Sequence, residues 1–223
     1  MKRHIIFDLD GTLADTLPGI AAGVNRALAA LHRSPLAESD VRGMIGQGAR
    51  NLCAQALGYA EAESAPQDLL ESMHAQFRQA YPQCWRGDLL PRPYVGVPEL
   101  LETLAEGGAR LGVLSNKPHE VTEPMVRELF PQVPFDPVLG FSSGRFPRKP
   151  APDALLHIAA QWGVEPQELT LVGDSLFDAR TAQNAGCDLI LVGWGYARVA
   201  ELRAWGAPLA EDAAELRLML AGD

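Results

Sequence analysis

Cysteine and lysine are both scarce. The 223-residue chain has three cysteines, Cys53, Cys84 and Cys187, widely spaced and without a Cys-x-x-Cys pair. An odd, scattered set excludes a disulfide framework and a cysteine zinc site, and points to reduced thiols in a cytoplasmic protein. The five histidines, His4, His32, His74, His119 and His157, show no ligand spacing and read as surface or packing residues. Positive charge is in deficit, with a formal net charge of -9. That argues against nucleic acid or an anionic membrane as a general partner, since both need a basic face. No apolar run approaches a membrane-spanning length. The stretch behind the basic start Met1-Lys2-Arg3-His4 is too short for a signal sequence. Internal repeats and low-complexity tracts are also missing, and the length suits one large domain or a core with an insert.

What is present is a set of polar clusters at the ends of apolar runs. Ile5-Ile6-Phe7 runs into Asp8-Leu9-Asp10-Gly11-Thr12, the pattern of a buried strand of a parallel sheet stopped by a turn. Leu111 to Leu114 runs into Ser115-Asn116-Lys117-Pro118, and Arg148-Lys149-Pro150 precedes a helix. Leu169 to Val172 runs into Gly173-Asp174-Ser175, with Asp178 four residues after Asp174. Ligands of open α/β sheets bind just beyond the carboxyl ends of such strands. In order, the clusters read Asp-x-Asp-Gly-Thr, Ser-Asn, Lys-Pro and Gly-Asp-x-x-x-Asp. The set resembles the four motifs of the haloacid dehalogenase superfamily, in particular its phosphatases of the phosphoglycolate phosphatase type, over about Ile5 to Val192.

The residues themselves specify a chemistry. A carboxylate can attack phosphorus and split one displacement into two easier ones, and Asp8, ending its strand, is the natural nucleophile. Asp10 can lie beside it and serve as general acid and then general base. A phosphate dianion repels the nucleophile, so the site needs concentrated positive charge. A hard divalent cation with oxygen ligands, Mg²⁺, supplies it. Asp8 and Asp174 can ligate through their side chains, and the resemblance implies that Asp10 does so through its backbone carbonyl. Lys149 adds a cation against the phosphoryl oxygens and Asp8. The Ser115 hydroxyl and the backbone N–H groups of Gly11, Thr12 and Asn116 complete a phosphate cradle. Asp178, one helical turn beyond Asp174, reads either as an outer group holding Lys149 or a metal-bound water, or as a helix-capping acid.

Two changes of pattern give the organisation. From about Thr16 to Gln83 the alternation of strands and helices is suspended, and apolar stripes of helical spacing replace it. Ile20, Val24, Leu28 and Leu31 form one, Leu69, Met73, Phe77 and Tyr81 a second, and Arg50 to Leu57 a third helix. The Pro-, Gly- and Arg-rich stretch Cys84 to Gly96 reads as a return linker. From Val97 the alternation resumes, with strands at 110–115, 138–141, 169–173 and 189–192 separated by helices. The expectation is an α/β fold: a Rossmann-like parallel sheet with crossover helices, residues 1–15 and 84–223, carrying an inserted all-helical cap, residues 16–83. Such a cap resembles that of the phosphoglycolate phosphatase subgroup.

In the cap, Gly46-Gln47-Gly48-Ala49-Arg50 joins a permissive loop to a planar cation. The resemblance implies that such a loop reaches the substrate, where Arg50 would pair with a second anionic group; the plain alternative is a solvated arginine. Arg42 is a weaker candidate. The segment Ser143 to Arg148 offers no substrate signature. Rivals within the superfamily are ranked by absence. Phosphonate-cleaving relatives use a cap lysine, and the only lysines here, Lys2, Lys117 and Lys149, lie outside the cap. Metal-free dehalogenases differ at the position of Asp10. The expectation is therefore a cytoplasmic Mg²⁺-dependent phosphomonoester hydrolase acting on a small phosphorylated metabolite, with phosphoglycolate the leading substrate. A phosphosugar mutase is the alternative, and a non-catalytic binding module a third reading. Oligomeric state is not legible.

Overall fold

The computed structural model describes residues 2–142 and 145–222, so Ser143 and Gly144 of the segment before Lys149 lie outside the described residues. The chain divides into two compact units: Met1–Ala14 with Pro93–Asp223, and Asp15–Arg92.

The first unit is a six-stranded parallel sheet in the order β5-β4-β1-β6-β7-β8. Its strands are β1 (His4–Phe7), β4 (Arg110–Pro118), β5 (Phe135–Phe141), β6 (Leu169–Gly173), β7 (Asp188–Val192) and β8 (Leu209–Ala210). The helices between them are α5 (Val97–Glu106), α6 (His119–Leu129), α7 (Asp153–Trp162), α8 (Leu176–Ala185) and α9 (Val199–Trp205), and α10 (Ala213–Ala221) follows β8. Two short strands, β2 (Ala14–Asp15) and β3 (Arg92–Pro93), form a second, two-stranded sheet.

Register decides where the polar clusters go. β1 is central: Phe7 pairs with Val113 of β4 on one side and with Val172 of β6 on the other. Asp8, the Ser115 to Lys117 stretch and Asp174 therefore emerge side by side at the carboxyl edge, where chain order switches from one half of the sheet to the other. The strands are apolar because both faces are covered. Ile5, Ile6, Leu169 and Leu171 are fully buried, and Ile6, Leu114, Leu155, Ile158, Trp162, Leu169 and Leu171 belong to one core cluster.

The helices are set by local signals. α8 begins at Ser175, whose hydroxyl accepts from the Asp178 N–H while the Asp178 side chain accepts from the Ser175 N–H, a reciprocal capping box. α10 begins at Asp212, whose carboxylate accepts from the Glu215 N–H at 2.8 Å. The sequence pattern predicts helices over about Val97 to Glu106 and Leu176 to Ala185, and α5 and α8 occupy those stretches. β5 and β4 run longer than expected because pairing with a neighbour extends them past the purely apolar residues.

The second unit is helical, with α1 (Leu17–Ala30), α2 (Glu38–Arg42), α3 (Ala49–Ala56) and α4 (Gln67–Ala80). Ile20, Val24 and Leu28 of α1 are buried, as are Leu70, Met73 and Phe77 of α4. Leu70 rather than Leu69 thus starts the fully buried stripe of α4. The unit extends to Arg92, past the Gln83 expected from sequence. Cys84 and Trp85 are buried, and the Cys84 carbonyl lies so close to Gly19 of α1 that a Cβ there would meet it at 2.5 Å. The Pro-Gly-Arg composition of that stretch hides two buried anchors. No helix among the described residues is long and apolar enough to cross a membrane.

Leu155 is fully buried in the core cluster of the first unit. Leu155→Ala should lower the unfolding free energy by about 2–5 kcal/mol, the range for deleting a buried leucine. Urea denaturation measures it, and a loss below about 1 kcal/mol would contradict the packing described.

Candidate active site

The carboxyl edge of the sheet gathers most of the expected residues. Asp8 extends β1, and its N–H still donates to the Val172 carbonyl of β6 at 2.9 Å, so its backbone is held in the sheet. One carboxylate oxygen, Oδ1, accepts from the Leu9 N–H at 2.7 Å; the other, Oδ2, faces Lys149 Nζ at 2.9 Å. Lys149 Nζ also donates to Asp178 Oδ1 at 2.6 Å and to the Leu114 carbonyl at 3.1 Å. Asp8, Ser115, Lys149, Asp174 and Asp178 are all buried.

Asp178 uses its two carboxylate oxygens on different partners. Its Oδ2 accepts from the Ser175 N–H at 3.2 Å and hydroxyl at 2.5 Å, capping α8, while its Oδ1 holds Lys149. Gly173 makes this possible, since a Cβ at that position would overlap the Asp178 side chain. Asn116 acts through its side chain as well as lying at the strand end. Its Oδ1 accepts from the Lys149 N–H at 2.8 Å and its Nδ2 donates to the Lys149 carbonyl at 3.0 Å, a two-point clamp on the lysine's backbone.

Asp10 meets a partner that sequence reasoning left without a role. Lys117 Nζ lies 2.8 Å from Asp10 Oδ1, with the lysine side chain 3% exposed and the aspartate 12%. The one hint in the sequence is the rarity of lysine, since Lys117 is one of three in the chain and follows Ser115-Asn116 directly. Gly11, at φ 81°, turns the chain after Asp10, and Thr12 Oγ1 donates to Asp174 Oδ1 at 3.4 Å.

Asp8, Asp174 and Asp178 can each offer one carboxylate oxygen such that the three oxygens lie within 4.8 Å of one another. Burial raises Asp8 to about 7 against the lowering effect of Lys149, helped by the negative charges of Asp178 and Asp10. Burial followed by Asp178 and Asp8 raises Asp174 to about 8, despite the hydrogen bond from the Tyr196 N–H. Lys149 moves upward: burial works against its charge, but Asp178 and Asp8 outweigh it. The lysine is therefore charged, and one ammonium faces three carboxylates. An all-oxygen, charge-deficient cluster of this kind fits a hard divalent cation.

Arg50 stands in the helical unit on α3. Its guanidinium is paired with the Glu71 carboxylate and donates to Gln67 Oε1 at 2.6 Å, both residues of α4. Its fork therefore ties two helices of that unit rather than being purely solvated. Gly46 and Gly48 before it take positive φ values of 115° and 83°, as the permissive loop requires.

The fold is thus a parallel α/β sheet with a helical insertion after its first strand, and its carboxyl edge collects buried carboxylates and a buried lysine. The family described as haloacid dehalogenase-like hydrolase matches residues 5–192, and the chain belongs to that family. It is a phosphatase of that family with a metal-type acidic site. It is 34% identical over 218 residues to phosphoglycolate phosphatase 1 of Pseudomonas aeruginosa, covering 97% of this chain and 76% of that one. It is 33% identical over 212 residues to the N-acetylmuramic acid 6-phosphate phosphatase of the same organism, covering 94% and 90%. A solved structure from Lactobacillus delbrueckii subsp. bulgaricus, itself named only provisionally as a phosphoglycolate phosphatase, superposes with a TM-score of 0.90 at 29% identity, covering 100% and 99%.

The raised carboxyls have a consequence for the metal-free protein. Both rise from 3.8 in the unfolded reference, to about 7 and about 8. The folded state thus holds protons that the unfolded chain has already released, and stability falls as pH rises through that interval. In the presence of a chelator, Tm should fall between pH 5 and pH 8, and Asp174→Asn should flatten the slope. A Tm that rises across this interval in wild type and in Asp174→Asn alike would contradict the assignment.

Proposed function

We propose that the protein hydrolyses small phosphomonoesters through an aspartyl phosphate on Asp8, with phosphoglycolate the leading substrate. The observation that carries this reading is the buried pair of Asp8 Oδ2 and Lys149 Nζ at 2.9 Å, placed at the carboxyl edge beside Asp10 and Asp174. A carboxylate fixed at both oxygens, by the Leu9 N–H and by the ammonium, is oriented before the substrate arrives.

In the first step an Asp8 oxygen bonds to phosphorus and the bond to the leaving alkoxide breaks. Protonated Asp10 supplies the proton to that oxygen. In the second step water attacks the phosphorus, Asp10 takes its proton, and the Asp8–phosphorus bond breaks to release inorganic phosphate. Lys117 holds the Asp10 carboxylate at 2.8 Å, which fixes the acid/base while it exchanges protons. Lys149 stays charged beside the transferring group, and Ser115 with the backbone N–H groups of Gly11, Thr12 and Asn116 receives the phosphoryl oxygens. Asp8 and Asp174, with the Asp10 carbonyl, would hold Mg²⁺, and Asp178 would steady Lys149 from outside the metal. When bound, the cation supplies Lewis-acid charge against the phosphate and lowers its repulsion of Asp8.

Phosphoglycolate leads because relatives from three bacteria at 34–36% identity are named phosphoglycolate phosphatases, while the N-acetylmuramic acid 6-phosphate phosphatase at similar identity keeps sugar phosphates in view. Arg50, its fork oriented by Gln67 and Glu71, is the candidate reader of a substrate carboxylate. The purified protein should release phosphate steadily with Mg²⁺, and its kcat/KM for phosphoglycolate should exceed that for N-acetylmuramic acid 6-phosphate by at least about tenfold, the ratio that roughly 1.4 kcal/mol of differential binding gives. The reverse ratio would transfer the assignment to sugar phosphates, and turnover of hexose phosphates without phosphate release would make the protein a mutase.

The acid/base assignment is tested separately. Asp10→Asn should slow alkyl phosphate turnover by about 10²–10⁴-fold. The loss in the first step should shrink for an aryl phosphate, whose leaving group needs less protonation. Equal losses on both would mean that Asp10 acts through the fold or the metal.

A further inference from the structure

The loop Gly193-Trp194-Gly195-Tyr196 follows β7 and belongs to none of the four motifs, yet it bonds to residues of two of them. The Tyr196 N–H donates to Asp174 Oδ2 at 2.6 Å. Gly195 is buried with no room for a side chain: a Cβ there would overlap the Asp174 carboxyl group. Trp194 Nε1 donates to the Thr12 carbonyl at 3.1 Å, and its ring lies 6.2 Å from that of Tyr94. The Tyr94 N–H in turn donates to the Leu13 carbonyl at 3.2 Å. Gly11 completes the fit from the other side, since a Cβ on it would overlap Asp174 and come within 3.0 Å of the Tyr196 ring.

We propose that this loop is a positioning element of the catalytic site: its backbone aims the Asp174 carboxylate, and its tryptophan anchors the turn that carries Gly11 and Thr12. The physical argument is one of degrees of freedom. To hold a metal, Asp174 must be a carboxylate in a buried position next to Asp8 and Asp178, where repulsion would rotate it away. A backbone N–H on one oxygen and the Thr12 hydroxyl on the other leave it one orientation. A backbone donor does this without adding a titratable or mobile group, and it reaches the carboxylate only because residue 195 has no side chain. Carboxylates that hold a metal are ordinarily hydrogen-bonded from behind in this way, and losing such a partner weakens metal binding by about 10–100-fold. The Trp194 bond addresses the other half of the site, because the carbonyl of Thr12 sits in the turn whose N–H groups are assigned to the phosphate.

The inference rests on the assignment of Asp174 to the metal. Calorimetric titration of the full-length, metal-stripped protein with Mg²⁺ tests both and separates them. Gly195→Ala should bind Mg²⁺ about 10–100-fold more weakly than wild type. Leu155→Ala, which loosens the core without touching the loop, should bind it as wild type does. Trp194→Phe keeps the ring and drops one donor, so inorganic phosphate should inhibit it about fivefold more weakly, the factor of one ordinary hydrogen bond. Wild-type Mg²⁺ affinity in Gly195→Ala overturns the inference and leaves the metal assignment standing. Wild-type protein that binds no Mg²⁺ overturns both. If Gly195→Ala does not fold, Trp194→Phe decides: unchanged inhibition by phosphate overturns the proposal.

Discussion

The site is organised around one buried ammonium. Lys149 Nζ contacts the Asp8 carboxylate, the Asp178 carboxylate and the Leu114 carbonyl at 2.9, 2.6 and 3.1 Å. These partners come from the end of β1, the middle of β4 and the first turn of α8, so a single charge fastens three elements beside the carboxyl edge. A buried lysine costs several kcal/mol to desolvate unless its hydrogen bonds are met. Here two carboxylates and a carbonyl meet them, and Asn116 fixes the backbone of the same residue. Losing Lys149 would leave two facing carboxylates without their counter-charge, and losing either carboxylate would leave the desolvated ammonium short of a partner. The arrangement is thus stable only as a whole.

That dependence also shapes the negative side of the site. Asp8, Asp174 and Asp178 crowd their oxygens, and one lysine cannot neutralise three carboxylates. The second lysine, Lys117, is committed to Asp10. The fold therefore separates two charge problems: Lys117 pairs with the residue assigned to proton transfer, and Lys149 with the residue assigned as nucleophile. What remains unbalanced is the deficit that a divalent cation with oxygen ligands would fill.

Much of this was legible in the sequence, for physical reasons that can be named. Asp8, Ser115 and Asp174 stand where apolar runs stop, and a run that stops at a polar residue marks a strand end. Parallel strands put all such ends on one edge. α5 and α8 lie where the strand–helix alternation placed helices, and Gly186 ends α8 as its position in the sequence suggests. What escaped were pairings that depend on tertiary approach. Lys117 finds Asp10 across two strands, and nothing local in either sequence stretch states it. The Gly193 to Tyr196 loop lies just past the last expected strand, and its function is carried by a backbone N–H and by missing side chains, which no residue pattern announces. α2, α9 and β8 are too short for a periodic signal, whereas α10 did carry one, the Asp212 and Glu215 capping pair. Arg50 was singled out as a cation after two glycines, and its ties to Glu71 and Gln67 come from a helix 17 to 21 residues away. Substrate choice was the least legible feature, since two Pseudomonas aeruginosa relatives of different substrate are 34% and 33% identical to this chain.

The account stands on a covalent bond between Asp8 and phosphorus. Turnover of phosphoglycolate carrying labelled phosphate, quenched in acid within milliseconds and digested, reads that bond directly. The account predicts label on the peptide that contains Asp8, in an acid-stable, base-labile acyl phosphate, and none on the corresponding peptide of Asp8→Asn. Steady release of phosphate with no labelled peptide at any quench time, or with label on another residue, would contradict it.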